Sequence, residues 1–195
     1  MSDVQEDLAT AAELPEGDII RILLEQHVLI REIFRLMKDA SGETKQQLFA
    51  DLRALLAVHE TAEEIVLRPV SRHCTGDQVA DARNEEEQRA NEVLSQLEQL
   101  DVDSFEFDTV LNGFEEAVVH HSDIEEKVEF QAVLRDIDAE QRRNLGGRLA
   151  AVEKVAPTRP HPGVAGSLSK EIAAGPFLAI VDRVKDALQT RSMAS

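Results

Sequence analysis

From Phe107 to Ala132 the apolar residues of the chain recur every three or four positions. This spacing puts them on one face of an α-helix, as in a helix that packs inside a bundle. Two members of the stripe, His121 and Glu125, are polar although the period assigns them to the core. A charged group in a core is costly unless it is paired or bound to a metal. The stripe therefore predicts a bundle helix with a polar centre. Its positions are Phe107, Leu111, Phe114, Val118, His121, Glu125, Val128 and Ala132.

Three more helices with similar seams come before this one. The first is expected to begin after the N-cap Asp18 and to end at Ser41-Gly42, the second to span about 43–70 and the third about 77–100. Four long helices with short connections predict an all-α, antiparallel up-down-up-down four-helix bundle. The seams are Leu23, His27, Ile30, Phe34 and Met37; Leu48, Leu52, Leu55, His59, Ala62, Val66 and Val70; and Glu87, Ala90, Leu94 and Leu97.

Composition favours the same fold class and limits the partners. The chain has 195 residues, of which 43% are hydrophobic, with only nine Gly and six Pro, so one mostly helical domain is expected. A formal net charge of −17 opposes binding to nucleic acid or to an anionic membrane surface. The acidic N-terminus resembles no signal peptide and no apolar run is long enough to cross a membrane. A single cysteine, Cys74, suits a reducing compartment. A cytoplasmic protein is expected, with no nucleic-acid or membrane partner.

The chain divides into four parts by composition. An acidic segment covers 1–17, the helical domain 18–155, a Pro/Gly-rich linker 156–175 and an amphipathic helix 176–190. A short fifth helix inside the domain is expected after Asp138, although Gly146-Gly147 weakens it. The terminal helix would pack on the bundle or on a second copy, so that the protein would be a monomer or a homodimer.

The same hexapeptide pattern, H-x-x-x-E-E, occurs twice, as "HETAEE" at 59–64 and "HSDIEE" at 121–126. A histidine and a glutamate four residues apart face the same way on a helix and can reach one metal cluster. The seams of the other two helices add one imidazole and one carboxylate, which makes three of each and suits a dinuclear site. Such mixed ligands favour iron, or less strongly manganese, over a structural zinc. The predicted ligands are His27, His59, Glu63, Glu87, His121 and Glu125, with Glu86 as the alternative to Glu87.

The remaining histidines and glutamates near these positions have simpler interpretations. His120 points about 100° away from His121 and is expected to be exposed or to support a ligand. A surface position is predicted for His73 and a tail position for His161. The solvated face of the bundle is expected to hold Glu60, Glu64 and Glu126, of which the last two are alternatives as hydrogen-bond partners of ligands.

These residues resemble the hemerythrin-like HHE cation-binding family over about residues 18–155. The resemblance implies a non-haem di-iron centre in which two carboxylates bridge the irons. An oxygen-carrying hemerythrin has His-x-x-x-His on its third helix, where this chain has Glu87 and Asn91. Its fourth helix has His-x-x-x-x-Asp, where this chain has His121-x-x-x-Glu125. Carboxylates in place of imidazoles should stabilise ferric over ferrous iron, which argues against reversible oxygen carriage.

Three functions follow as hypotheses. The leading one is a di-iron protein that reacts with an oxygen-derived small molecule, most plausibly breaking down hydrogen peroxide as a catalase does. The second is a module that binds or senses oxygen, nitric oxide or iron without turnover, and passes the change on through the C-terminal segment. The third is a structural bundle without a metal, in which each His/Glu pair is an ordinary helix-surface hydrogen bond.

Overall fold

The computed structural model describes residues 4–156, and within that range every regular element is helical. Helices α3 and α4 are joined by a π-helical segment into one long rod, as are α6 and α7, so four long helices form the bundle. The predicted all-α four-helix bundle is confirmed. The elements are α1 Val4–Glu13, α2 Ile19–Lys38, α3 Gly42–Ala62, the π segment Glu63–Leu67, α4 Arg68–Thr75, α5 Asp77–Leu97, α6 Phe105–Ile124, the π segment Glu125–Glu129, α7 Phe130–Asp136 and α8 Ala139–Glu153.

Some predictions concern parts of the chain beyond this range. The described residues do not include the predicted linker 156–175 after its first residue, the predicted amphipathic helix 176–190 or His161. Among the described helices, none combines the length and the apolarity needed to cross a membrane.

One helix boundary differs from the sequence prediction, and one helix is additional to it. The second bundle helix runs past residue 70 to Thr75 and ends at Gly76, whose φ of 92° suits glycine. The predicted end of this helix near residue 70 is therefore wrong, because the turn residues that follow position 70 are still helical. The acidic N-terminal segment also contains α1, which packs on α2 and for which the sequence analysis proposed no helix.

Helix α8 closes one end of the bundle against α2 and α3. A capping box at its start pairs the Asp138 side chain with the backbone N–H of Gln141, and the Gln141 side chain with the backbone N–H of Asp138. A side chain at Gly146 would collide with the backbone of Gly17. The glycine that seemed to weaken this helix is therefore what allows its close approach.

Apolar side chains form two clusters, one towards each end of the bundle. The first cluster contains Phe34, Phe49, Phe107 and Phe114, and the second is built around the start of α2, Phe130 and α8. Along each rod the predicted polar seam residues fall between the two clusters. The bundle thus holds a polar layer with an apolar core on both sides.

One seam position was wrong. Val128 was predicted to face the core, but 42% of it is exposed, whereas the neighbouring Glu129 is fully buried. The cause is the π segment Glu125–Glu129, in which one extra residue per turn moves the register of the helix.

Candidate metal centre

Both H-x-x-x-E-E sequences change from α-helix to π-helix at the same point. Each π segment begins on the first glutamate of the pattern, Glu63 in one rod and Glu125 in the other. In both segments the closing backbone bond spans five residues, from the N–H of Arg68 to the carbonyl of Glu63 and from that of Phe130 to Glu125. Such segments are rare and are frequent at functional sites. Here each π segment adds one residue to the helical turn that passes the polar layer.

The six predicted ligands lie together in two groups that share members. Within each group, one ligand atom per residue lies within 4.8 Å of the others. The shared members are Glu63 and Glu125, both completely buried. Two carboxylates common to two adjacent groups have the arrangement expected of bridging ligands. The first group is His27, His59, Glu63 and Glu125, and the second is Glu63, Glu87, His121 and Glu125.

The first group has two imidazoles, which we call the two-histidine side. The ring centroids of His27 and His59 are 5.0 Å apart. The Nδ1 atom of His27 lies 2.7 Å from a carboxylate oxygen of Glu126, and that of His59 lies 2.7 Å from the amide oxygen of Gln26. The opposite nitrogens face the shared carboxylates, with His59 Nε2 3.4 Å from Glu63. Holding Nδ1 in a hydrogen bond leaves Nε2 to face the centre, as in metal-ligating histidines.

The second group has one imidazole, and we call it the one-histidine side. Nε2 of His121 is 3.3 Å from Glu125, while Nδ1 is 2.9 Å from a carboxylate oxygen of Glu86. Of the two neighbouring glutamates on α5, Glu87 belongs to the ligand group. Glu86 instead contacts the far side of the histidine ring and accepts a hydrogen bond from Arg83. The geometry therefore favours Glu87 as the ligand, and the ligand roles of all six residues stay predictions.

Several buried polar atoms in this layer have no hydrogen-bond partner. They include Nε2 of His27, both carboxylate oxygens of Glu63 and one oxygen of Glu125. Buried polar atoms are normally paired, so a cluster of unpaired nitrogen and oxygen donors facing one another calls for an explanation. Metal ions would satisfy these atoms directly. The donor set of imidazoles and carboxylates fits iron or manganese.

Burial and mutual charge shift the pKa values of the group in opposite directions. Burial lowers the pKa of His59 well below its usual range, and the neighbouring His27 adds to this. Burial also lowers the pKa of His121, but Glu125 and Glu86 outweigh it and raise that pKa well above its usual value. Burial raises the pKa of Glu87 to about 7 and, together with Glu125, raises that of Glu63. Adjacent carboxylates that resist ionisation are expected where a bound cation is their natural counter-charge.

A buried cation that the sequence did not predict lies beside the centre. The guanidinium of Arg68 forms ion pairs with Glu87, with Glu125 at 3.3 Å and with Glu129 at 2.8 Å. Glu129 also accepts a hydrogen bond from the hydroxyl of Ser71. The sequence contains one signal for Glu129, because His121, Glu125 and Glu129 follow one another at intervals of four on one helix. Arg68 had no such signal, since it reaches the layer only through the π segment.

Other predicted positions had mixed outcomes. Glu60 was expected on the solvated face, but it accepts a hydrogen bond from Asn91, and burial raises its pKa to about 8. Glu126 is also buried, and of the two roles considered for it the structure favours that of partner to His27. The side chains of Glu64, His73 and His120 are exposed, as expected. The assignment of Glu60 was wrong because its partner, Asn91, lies on another helix, α5.

Comparisons with known proteins found a matching family model and two similar proteins. A family model described as "Hemerythrin HHE cation binding domain" matches residues 18–133. An uncharacterised hemerythrin-like protein of Schizosaccharomyces pombe is 25% identical over 137 residues, covering 69% of this chain and 68% of its own. A crystal structure of a hemerythrin HHE cation binding domain-containing protein from Mycobacterium kansasii superposes with a TM-score of 0.61. It is 23% identical and covers 68% of this chain and 82% of its own. This last likeness concerns the fold alone.

Proposed function

Since this chain belongs to the hemerythrin HHE cation-binding domain family, we propose that it holds two iron ions and breaks down hydrogen peroxide to water and oxygen. The observation that supports this most directly is the sharing of Glu63 and Glu125 between two ligand groups. One ion would be held on the two-histidine side and the other on the one-histidine side. When bound, the irons would supply the exchange of electrons between two peroxide molecules, of which one is oxidised to oxygen and the other reduced to water.

The chain itself contributes orientation and charge. Gln26, Glu126 and Glu86 hold the Nδ1 atoms of the three histidines, so that Nε2 of each faces the shared carboxylates. Arg68 adds a positive charge against the carboxylates of the one-histidine side. Together these contacts hold five of the six side chains, all but Glu63, before any ion enters, which reduces the cost of assembling the site.

The one-histidine side has three carboxylates and only one imidazole, the type of ligand that favours ferrous iron. This supports redox turnover over reversible oxygen binding, because hard anionic donors stabilise the more oxidised metal. The position of Glu87, where an oxygen carrier has a histidine, is the specific support for peroxide chemistry.

The test is oxygen release from hydrogen peroxide by the purified, iron-loaded full chain, measured with an oxygen electrode alongside the optical spectrum. We expect oxygen evolution that is lost in His121→Ala and retained in His73→Ala, which removes an exposed histidine from α4. No oxygen release and a spectrum that does not respond to peroxide would contradict the proposal. Reversible spectral changes with oxygen or nitric oxide, without turnover, would favour a binding or sensing module instead.

A further inference from the structure

A large cavity opens beside the one-histidine side, between α5 and α6. Its volume is about 710 Å³, and its lining includes His27, His59, Glu87 and His121. Pockets of roughly 300–1,000 Å³ are the size that holds drug-sized organic molecules. Hydrogen peroxide has only two heavy atoms and needs far less room. The cavity is therefore larger than the proposed reaction requires.

Small apolar side chains create this space. Where α5 and α6 face each other beside the seam, the residues that line the gap are glycine, alanine and valine. A Cβ atom built on Gly113 meets no other atom within 4 Å, so the wall is open at that point. Close packing is the rule in protein interiors, and a gap lined by small apolar groups is suited to an apolar guest. The lining away from the metal ligands includes Ala90, Val93, Val110, Gly113, Ala117 and Val118.

The lining of the cavity has an apolar and a polar part. The apolar part includes buried residues such as Phe114, Leu56 and Ile30. The polar part includes four of the predicted metal ligands, and the charged lining residues outside them are two arginines and two glutamates, Arg31, Arg89, Glu60 and Glu86. If the centre holds two divalent or higher-valent ions, their charge exceeds that of its three carboxylates, Glu63, Glu87 and Glu125. A guest with one anionic end would be drawn inward with that end at the centre.

We infer that this cavity binds a small, chain-like apolar molecule with one carboxylate end, and that the carboxylate lies at the metal centre. The carboxylate part of the inference rests on the proposed function, whereas the apolar part does not. The metal-free centre lacks the positive charge of the ions that would hold a carboxylate, whereas the binding of a neutral alcohol of the same length does not depend on that charge. The charge of the guest and the presence of metal can therefore be varied separately.

The experiment titrates the full chain with octanoate and with 1-octanol by isothermal calorimetry, both metal-free and iron-loaded. Octanoate should bind the loaded protein at least about tenfold more tightly than the metal-free protein, while 1-octanol should bind both about equally. Gly113→Leu, which puts a side chain into the cavity, should weaken both ligands about tenfold or more. Gly147→Leu is the matched control, because Gly147 is an exposed helical glycine that also has no atom within 4 Å of its added Cβ.

Circular dichroism and iron content establish that both variants fold and load. Equal binding of 1-octanol to wild type, Gly113→Leu and Gly147→Leu would overturn the cavity as the site. Octanoate that binds the metal-free protein as tightly as the loaded one would overturn the placement of its carboxylate. If Val181→Asp, on the predicted apolar stripe of 176–190, tightened 1-octanol binding about tenfold, the chain's own C-terminal segment would be the occupant and the inference would be wrong.

The two proposals can fail separately. A protein that takes up no iron contradicts the proposed function and the carboxylate placement together. Weaker binding of 1-octanol to metal-free Gly113→Leu than to wild type would still support an apolar guest in the cavity.

Discussion

The two sides of the metal centre share two carboxylates but differ in their other ligands and in the charges around those ligands. On the two-histidine side, His59 hydrogen-bonds a neutral amide, Gln26, and burial lowers its pKa. On the one-histidine side, His121 hydrogen-bonds the carboxylate of Glu86, and the surrounding carboxylates raise its pKa. The one-histidine side also has a buried arginine against its glutamates. A repeated sequence pattern has therefore produced two unequal sites, because the neighbours of each pattern differ.

Neutralising a shared carboxylate should have the largest effect, because it removes a ligand from both sides at once. In Glu63→Gln the iron content should fall from about two ions per chain to well below one. Elemental analysis after iron loading gives the measurement. Glu64→Gln is the control, since the neighbouring side chain is exposed. Iron content unchanged in Glu63→Gln would exclude this residue as a bridge.

Removing one histidine from each side should separate the two sites. His121→Ala takes away the sole imidazole of its side, so we expect about one ion to remain. His59→Ala leaves His27 in place, so its ion should be weakened but recovered at higher iron concentration. Titration of both variants with ferrous iron under anaerobic conditions measures this. A content that stays near two in both variants would show that the ligand assignment is wrong.

Replacing the buried arginine tests the charge on the one-histidine side. Arg68→Met leaves Glu129 and its neighbours without their cation, and breaking a buried ion pair costs about 3–5 kcal/mol of unfolding free energy. The loss should be largest in metal-free protein, because bound ions can replace the lost charge at Glu87 and Glu125. Urea denaturation with and without iron measures the difference. Arg72→Met, which breaks exposed pairs with Asp77 and Asp81, should leave stability almost unchanged. Equal losses in loaded and metal-free Arg68→Met would contradict this compensation.

The fold was predictable because periodicity reports directly on which face of a helix is buried. The fourth seam identified Phe107, Leu111 and Phe114 as core residues, and all three are buried. The polar layer was visible for the same reason, since His121 and Glu125 interrupt an apolar stripe. Both inferences need only a regular helix of 3.6 residues per turn.

The failures occur where that regularity ends. Beyond Glu125 the π segment turns Val128 outward and Glu129 inward, and a period of 3.6 residues continued along the helix does not include this change of register. Arg68 enters the layer through the equivalent segment. Contacts between helices could not be predicted from the sequence either, because the pairing of Glu60 with Asn91 depends on how closely α3 and α5 approach. A sequence period fixes the direction of a side chain but not its partner on another helix.

The smallest predicted effect concerns the hydrogen bonds behind the histidines. Glu86→Gln keeps an acceptor for Nδ1 of His121 but removes its charge, so iron affinity on the one-histidine side should fall about tenfold. Glu85→Gln, which alters an exposed partner of Arg89, should leave it unchanged. The reciprocal change, Gln26→Glu, gives His59 the charged partner that His121 has, and should strengthen iron binding on the two-histidine side. Competition with a chelator measures both affinities. If neither variant moved them, the difference between the two sides would come from Arg68 and the ligands alone, and the residues behind the rings would have only a positioning role.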